Sequence, residues 1–136
     1  MAEHLTDADV ALLQGTNWAH FAVNGEDGYP HVTVVWVHAD PTHVLINTAA
    51  GRVKDRAVQR DPRVSVSVHD QGDAYRFISI RGVVESRLIG PEADANMDML
   101  SRKYHDEAWG FRPGEVRVLY KIRPERIIRY PMKDGL

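Results

Sequence analysis

HVLINTAAGRVKDRAVQRDPRVSVSVHD (43–70) changes its periodicity twice within 28 residues, and those changes decide the fold. HVLINT (43–48) is a short apolar run bounded by turn residues, which reads as a strand. From Gly51 the spacing of Val53, Ala57 and Val58 suits a short helix. That helix ends before Asp61-Pro62, because proline disfavours helical backbone in the residue preceding it. RVSVSVHD (63–70) then alternates strictly, with Val64, Val66 and Val68 on one face and Ser65 and Ser67 on the other. The strands are therefore joined by short connections, which favour antiparallel neighbours over a doubly wound parallel sheet.

The flanking sequence repeats this pattern. NWAHFAVN (17–24) and PHVTVVWVH (30–38) form a hairpin signalled by Asp27-Gly28. Asp40-Pro41 supplies the turn into the stretch quoted above. Upstream, Thr6 can cap a short helix over TDADVALLQG, with Asp9 at its third position. After the turn QGD, an extended segment runs from Tyr75 to Leu88. PEADANMDMLSRKYH (91–105) is a helix with Met97, Leu100 and Tyr104 on one stripe. The linker EAWGFRPG (107–114) leads to strands EVRVLYKI (115–122) and ERIIRY (125–130). The reading is a mainly β protein with short helices: one domain over 1–136, core about 15–130, with six to seven mostly antiparallel strands. Closing such a sheet into a barrel removes its exposed edges.

Composition excludes several functions. A formal charge of -2 gives no general attraction to nucleic acid or an anionic membrane surface. No apolar run is long enough to span a bilayer. The chain has no cysteine, which removes disulfides, thiolate nucleophiles and cysteine-based metal sites together. MAEHLTDADV lacks a basic segment followed by an apolar one, so a cytoplasmic location is expected. The seven histidines form no HExxH or matched ligand pairs, so no metal site is expected. Ser65 and Ser67 lie on a regular strand with no nucleophile elbow around them.

Chemistry concentrates at the helix start in TAAGRVKDRAVQRDPR (48–63). Arg52, Lys54 and Arg56 crowd the end where the macrodipole and free N–H groups favour negative charge. Each misplaced cation costs about 0.3–1 kcal/mol, and the Arg52/Arg56 pair repels by about 0.2–0.5 kcal/mol more. Asp55 offsets part of this. A bound phosphate would reverse the sign, since each charge-assisted hydrogen bond contributes about 1.5–3 kcal/mol. The alternative is a solvated basic face paired with Asp61 or Glu26.

Two strands offer further candidates. On PHVTVVWVH, His31, Thr33, Val35 and Val37 share one face, a mixed lining that suits a ligand with a polar ring edge. Val32, Val34, Trp36 and His38 share the other. In AYRFISIRG (74–82), Tyr75 and Phe77 alternate with Arg76 and Ile78. An edge strand and ordinary barrel packing are the alternative readings of these two segments.

Together, DGYPHVTVVWV (27–37), NTAAGRVKDRAVQRDPRVSVSV (47–68), YRFISIRGVVE (75–85) and RPERI (123–127) resemble the pyridoxamine 5'-phosphate oxidase-like FMN-binding split-barrel superfamily. The closer likeness is to its branch that uses the deazaflavin coenzyme F-420. The resemblance implies a split β-barrel homodimer with two equivalent cofactor sites at the subunit interface. It implies that Arg52, Lys54 and Arg56 hold the cofactor phosphate, with Asn47 and Thr48 lining the same end. It places His31, Thr33 and Val35 against the ring system, and Tyr75, Arg76 and Phe77 on the strand contributed by the partner. The implied activity is hydride transfer between F-420 and an unsaturated small organic acceptor. FMN is the alternative cofactor, and a non-catalytic flavin or deazaflavin carrier is the alternative role. The chain is shorter than the pyridoxamine phosphate oxidases and ends in RYPMKDGL without their extended substrate segment, so oxidation of pyridoxamine phosphate is not expected. Trp109, Phe111 and Arg112 in the late linker are placed to cover the substrate side, although a loop packing its own aromatics reads equally well.

Overall fold

The computed structural model describes residues 2–130; Met1 and the tail from 131 to 136 lie outside them. In chain order the elements are α1 (Asp7–Gln14), β1 (Ala19–Asn24), β2 (Pro30–Val35), β3 (His38–Ala39), β4 (Val44–Ala49) and α2 (Val53–Arg60). β5 (Arg63–Asp70), β6 (Asp73–Leu88), α3 (Pro91–His105) and β7 (Arg117–Tyr130) follow. All seven strands join one sheet in the order β2-β1-β5-β6-β7-β4-β3, and every pairing is antiparallel. The mainly β, antiparallel fold class is as the sequence implies.

Connectivity forces this sheet to curl. β2 and β3 are its two outermost strands, yet only Trp36 and Val37 separate them in the chain. Laid flat, seven strands about 4.8 Å apart put the outer two about 29 Å from each other. Three Cα–Cα steps reach about 11 Å at most. The sheet therefore folds round into a barrel-like wall. Its concave face carries Phe21 and Val23 from β1, Val64, Val66 and Val68 from β5, Ile78 and Ile80 from β6, and Tyr120 and Ile122 from β7, all buried. Leu12 and Leu13 of α1 and Ala57 and Val58 of α2 join the same core.

The α1 cap forms as its sequence predicts. Thr6 N–H donates to Asp9 Oδ2 at 2.8 Å, and Asp9 N–H donates to Thr6 Oγ1 at 3.1 Å. Asp9 is buried and pairs with Arg129 of β7 at 2.6 Å, which ties this helix to the sheet.

Two strand boundaries differ from the sequence reading. The predicted strand 30–38 breaks after Val35, because α3 takes the backbone groups that would have continued the ladder. Tyr104 Oη accepts from Val37 N–H at 3.2 Å, and Lys103 Nζ donates to the Val37 carbonyl. Conversely, the two predicted strands 115–122 and 125–130 are one, β7, running through Pro124. β4 pairs with β7 only as far as Ile122, so Pro124 has β6 as its single neighbour and its missing N–H breaks no ladder on the β4 side. Opposite Pro124 sits Gly82, at an irregularity in the register. A Cβ at Gly82 would lie 2.6 Å from the Arg123 carbonyl oxygen and 2.8 Å from Ile122 Cγ2. We expect Gly82→Ala to destabilise the fold by about 1–3 kcal/mol, the range for overpacking, as a lowered midpoint in chemical denaturation. An unchanged midpoint would contradict this account of the crossing.

Candidate functional site

Residues 49–60 are held to the barrel by the carboxylate of Asp55, which is 1% exposed. It accepts from Gly51 N–H at 3.2 Å, from Arg87 Nε and Nη2 of β6 at 2.9 and 2.7 Å, and from Tyr120 Oη of β7 at 2.6 Å. Burial alone would push this carboxyl up. The hydrogen bonds from Arg87, Tyr120 and Gly51 outweigh it and hold the group below the usual carboxylate range. Gly51 sits at φ +88°, a conformation other residues rarely adopt. Its carbonyl is bound by Arg56 Nη1. The turn before α2 is thus clamped on both sides.

The clamp sorts the cations. Arg56 is spent on Gly51. Arg60 donates to the Asn24 carbonyl at 2.7 Å and lies 4.0 Å from Glu26, so at this helix end the solvated pairing partly holds. Asp61 pairs with Arg63 at 2.8 Å. Arg52 and Lys54 find no carboxylate among the described residues. Arg52 occupies the N-cap position of α2, which has no side-chain cap, so the first N–H groups of the helix are open. Both side chains line a cleft of about 220 Å³.

The rest of that cleft is apolar and aromatic. Val34, Val35 and Trp36 form one wall, Met97 and Leu100 of α3 the floor, and Trp18 and Trp109 the sides. Trp36 stacks on Tyr104 at 5.2 Å and meets Trp109 edge-on at 6.2 Å. Asn47 bridges the elements: its Nδ2 donates to the Ala93 carbonyl and Asn96 Oδ1, each at 2.9 Å, and its Oδ1 accepts from Arg117 Nε at 3.0 Å. Arg117 also donates to Glu115 Oε1 at 3.0 Å and lies over the Trp109 ring at 5.2 Å.

Of the residues singled out from sequence, Val35, Asn47, Arg52 and Lys54 meet at this cleft. Thr48 faces the opposite way, 1% exposed in the barrel interior, and its Oγ1 has no partner among the described residues. His31 and Thr33 lie on the other face of β2 from Val34. His31 borders a separate hollow of about 350 Å³ beside the 25–30 turn, and Thr33 Oγ1 is buried without a partner among the described residues. Tyr75 is 74% exposed, Arg76 pairs with Asp70 at 3.2 Å, and Phe77 stacks on Tyr130 at 5.5 Å; none of the three lines the cleft of its own chain. Phe111 and Arg112 stay outside it as well, while Trp109 lines it.

Sequence reasoning passed over Val34, Trp36 and Arg117. The signal for Arg117 was an arginine inside the apolar run VRVLY. Trp36 carried no local signal, because the break that takes it out of the ladder is imposed by α3.

The chain belongs to the pyridoxamine 5'-phosphate oxidase family, whose model matches residues 5–129. Solved structures agree. The fold is similar to that of an F-420 reductase at TM-score 0.79 and 26% identity, covering 91% of this chain and 98% of that one. A conserved hypothetical protein of Mycobacterium tuberculosis superposes at TM-score 0.69 and 22% identity over 90% of this chain and 82% of that one. A candidate pyridoxamine 5'-phosphate oxidase of Listeria innocua gives TM-score 0.67 and 20% identity, covering 93% and 98%. The last two likenesses concern the fold alone.

Burial, with Arg52 and then Arg117 nearby, pushes the Lys54 ammonium below its ordinary 10.5. A bound anion favours the charged form and raises that value again. The complex then holds more protons than the free protein between the lowered and the restored value. We therefore expect the affinity for sulfate, an anion that does not titrate in this range, to fall as pH rises through that window, measured by calorimetry. Affinity that rises with pH there would place Lys54 away from the anion.

Proposed function

We propose that this chain is an F-420-dependent oxidoreductase working in the cytoplasm as a homodimer, with the cleft between α2, α3 and β2 holding the phosphate end of the cofactor. One observation carries the reading. Arg52 and Lys54 stand unpaired by any carboxylate of the described residues at an uncapped helix start, beside an apolar aromatic wall. Cations and open N–H groups suit a phosphate, and the wall suits a planar ring. Membership of the family and the likeness to an F-420 reductase support the same assignment. Among the described residues no helix is long and apolar enough to cross a membrane.

The cleft of about 220 Å³ lies below the about 300–1,000 Å³ of ordinary cofactor sites, which supports a second subunit completing the enclosure of such a ligand. The outer sheet face offers a place for one. Val32 and Val34 there are 56% and 59% exposed, and three strands away Tyr75 packs with the Phe77–Tyr130 stack. In this dimer Tyr75, Arg76 and Phe77 reach the cofactor of the partner subunit, as the family resemblance implies.

The bound deazaflavin supplies hydride transfer to an unsaturated small organic acceptor. The chain's own part is binding and orientation. Arg52, Lys54 and the first N–H groups of α2 anchor the anionic tail, Val34, Val35 and Trp36 exclude water from the ring, and Asn47 fixes α3 against the sheet. An FMN-dependent oxidase or reductase is the second reading, favoured by the oxidase family to which the chain belongs.

Fluorescence titration separates these readings. We expect F-420 to bind more tightly than FMN, and Arg52→Ala with Lys54→Ala to weaken it about tenfold or more through lost charge-assisted hydrogen bonds. The double variant should keep its melting temperature, since two repelling cations leave a helix start. Tighter FMN binding would favour the second reading, and binding of neither cofactor would end both. A protein that binds reduced F-420 yet never oxidises it with quinones or enones would be a carrier.

A further inference from the structure

We propose that Arg117 is a third anion-binding residue of the cleft, set there to grip an organic ligand carrying at least two negative charges. The proposal rests on reading the cleft as an anion site, and it adds a residue and a charge requirement to that reading. Arg117 is 5% exposed, so its side chain is almost wholly withdrawn from solvent. A buried guanidinium has five N–H groups to satisfy. Nε is taken by Asn47 and Nη1 by Glu115, while the guanidinium lies over the Trp109 ring. Nη2 has no partner among the described residues, and it is not among the buried polar atoms sealed from the surface. Arg117 lines the cleft, so what little of it is open faces the cleft.

The charge balance points the same way. Arg52, Lys54 and Arg117 line one cleft, and the carboxylate in contact with any of them is Glu115, with Asp94 attracting Arg117 more weakly. Arg52 lowers the proton affinity of both Lys54 and Arg117, so the three cations act on one another. A single negative charge leaves that group positive; two or more bring it near neutrality. Burying a cation without a matching partner is costly. An anionic ligand taking Nη2 offsets that cost.

Glu115 supplies a test whose sign separates the two roles. Glu115→Gln keeps the oxygen that accepts from Trp109 Nε1 and Arg117 Nη1, gives up the one that accepts from Arg112 N–H, and removes the competing charge beside Arg117. We expect it to bind pyrophosphate about three- to tenfold more tightly than wild type in calorimetry. Arg117→Gln combined with Glu115→Gln should bind pyrophosphate about tenfold or more weakly, leave affinity for uncharged riboflavin unchanged, and be partly restored by Arg117→Lys in the wild-type background. The proposal is overturned if Glu115→Gln binds pyrophosphate no better than wild type, which can be read even where Arg117 variants do not fold. Equal weakening of pyrophosphate and riboflavin overturns it too. Parallel titrations with F-420 and FMN keep the two readings apart. If wild type binds either cofactor and the Arg117 variants bind it equally well, this proposal falls and the cofactor assignment stands. If pyrophosphate behaves as expected but neither cofactor binds, Arg117 keeps its role and the cofactor assignment falls.

Discussion

The geometry of the cleft depends on one buried carboxylate. Asp55 brings together a turn, a helix and two strands: Gly51 before α2, Arg87 on β6 and Tyr120 on β7. An isolated charge at that depth would be costly, and three donors make it affordable. Burial and the neighbouring carboxylate in turn push the Tyr120 phenol up, so this tyrosine stays protonated and donating. Fixing the start of α2 in this way turns Ala57 and Val58 into the barrel, and the same rotation leaves Arg52 and Lys54 outside. The plug of the barrel and the cationic rim of the cleft are two faces of one short helix.

The second constraint is where β2 stops. A sheet that joins its first and last strands through two residues needs those residues to leave the ladder. α3 provides the exit. Lys103 reaches the carbonyls of Leu13, Gln14 and Val37, and Tyr104 binds both backbone groups of Val37 and the carbonyl of Asn17. Burial lowers the Lys103 ammonium to about 8. Trp36, freed from the ladder, stacks on Tyr104 and becomes the cleft wall. Closing the barrel and building an aromatic pocket are therefore one packing event, and Tyr104 sits at its centre, between Trp36 and Trp18.

How much of this was legible in the sequence follows from the range of the interactions. Alternation over 63–70 and the helical spacing over 91–105 are local, and both elements form where the pattern puts them. The Thr6 cap is local as well. The break after Val35 is not: it is imposed by a helix end some 70 residues downstream, so nothing between 30 and 38 announces it. The fused strand β7 was hidden by Pro124, whose cost vanishes only because β4 ends at Ile122. At the site, the basic helix start was visible because it violates the macrodipole rule. The contribution of β2 was only partly so: Val35 lines the cleft, but His31 and Thr33 drew attention as polar residues while Val34 and Trp36 border it.

Arginines at this end of the barrel are not equivalent, and their differences argue for ligand binding over mere solubility. Arg87 is matched to a buried carboxylate, Arg56 and Arg60 to carbonyls, and Arg63 to Asp61. Each of those removes a local liability. Arg52 and Lys54 have no such partner among the described residues, and Arg117, paired with Glu115, lines the same cleft with Nη2 unbonded among them. A surface chosen only for solubility would intersperse both signs of charge. Local rules are broken most often where function requires it. Here two cations at a helix start and a third on a strand converge on one cleft, and a single carboxylate among the described residues is in contact with them. Chance placement would scatter them; a common anionic ligand would gather them.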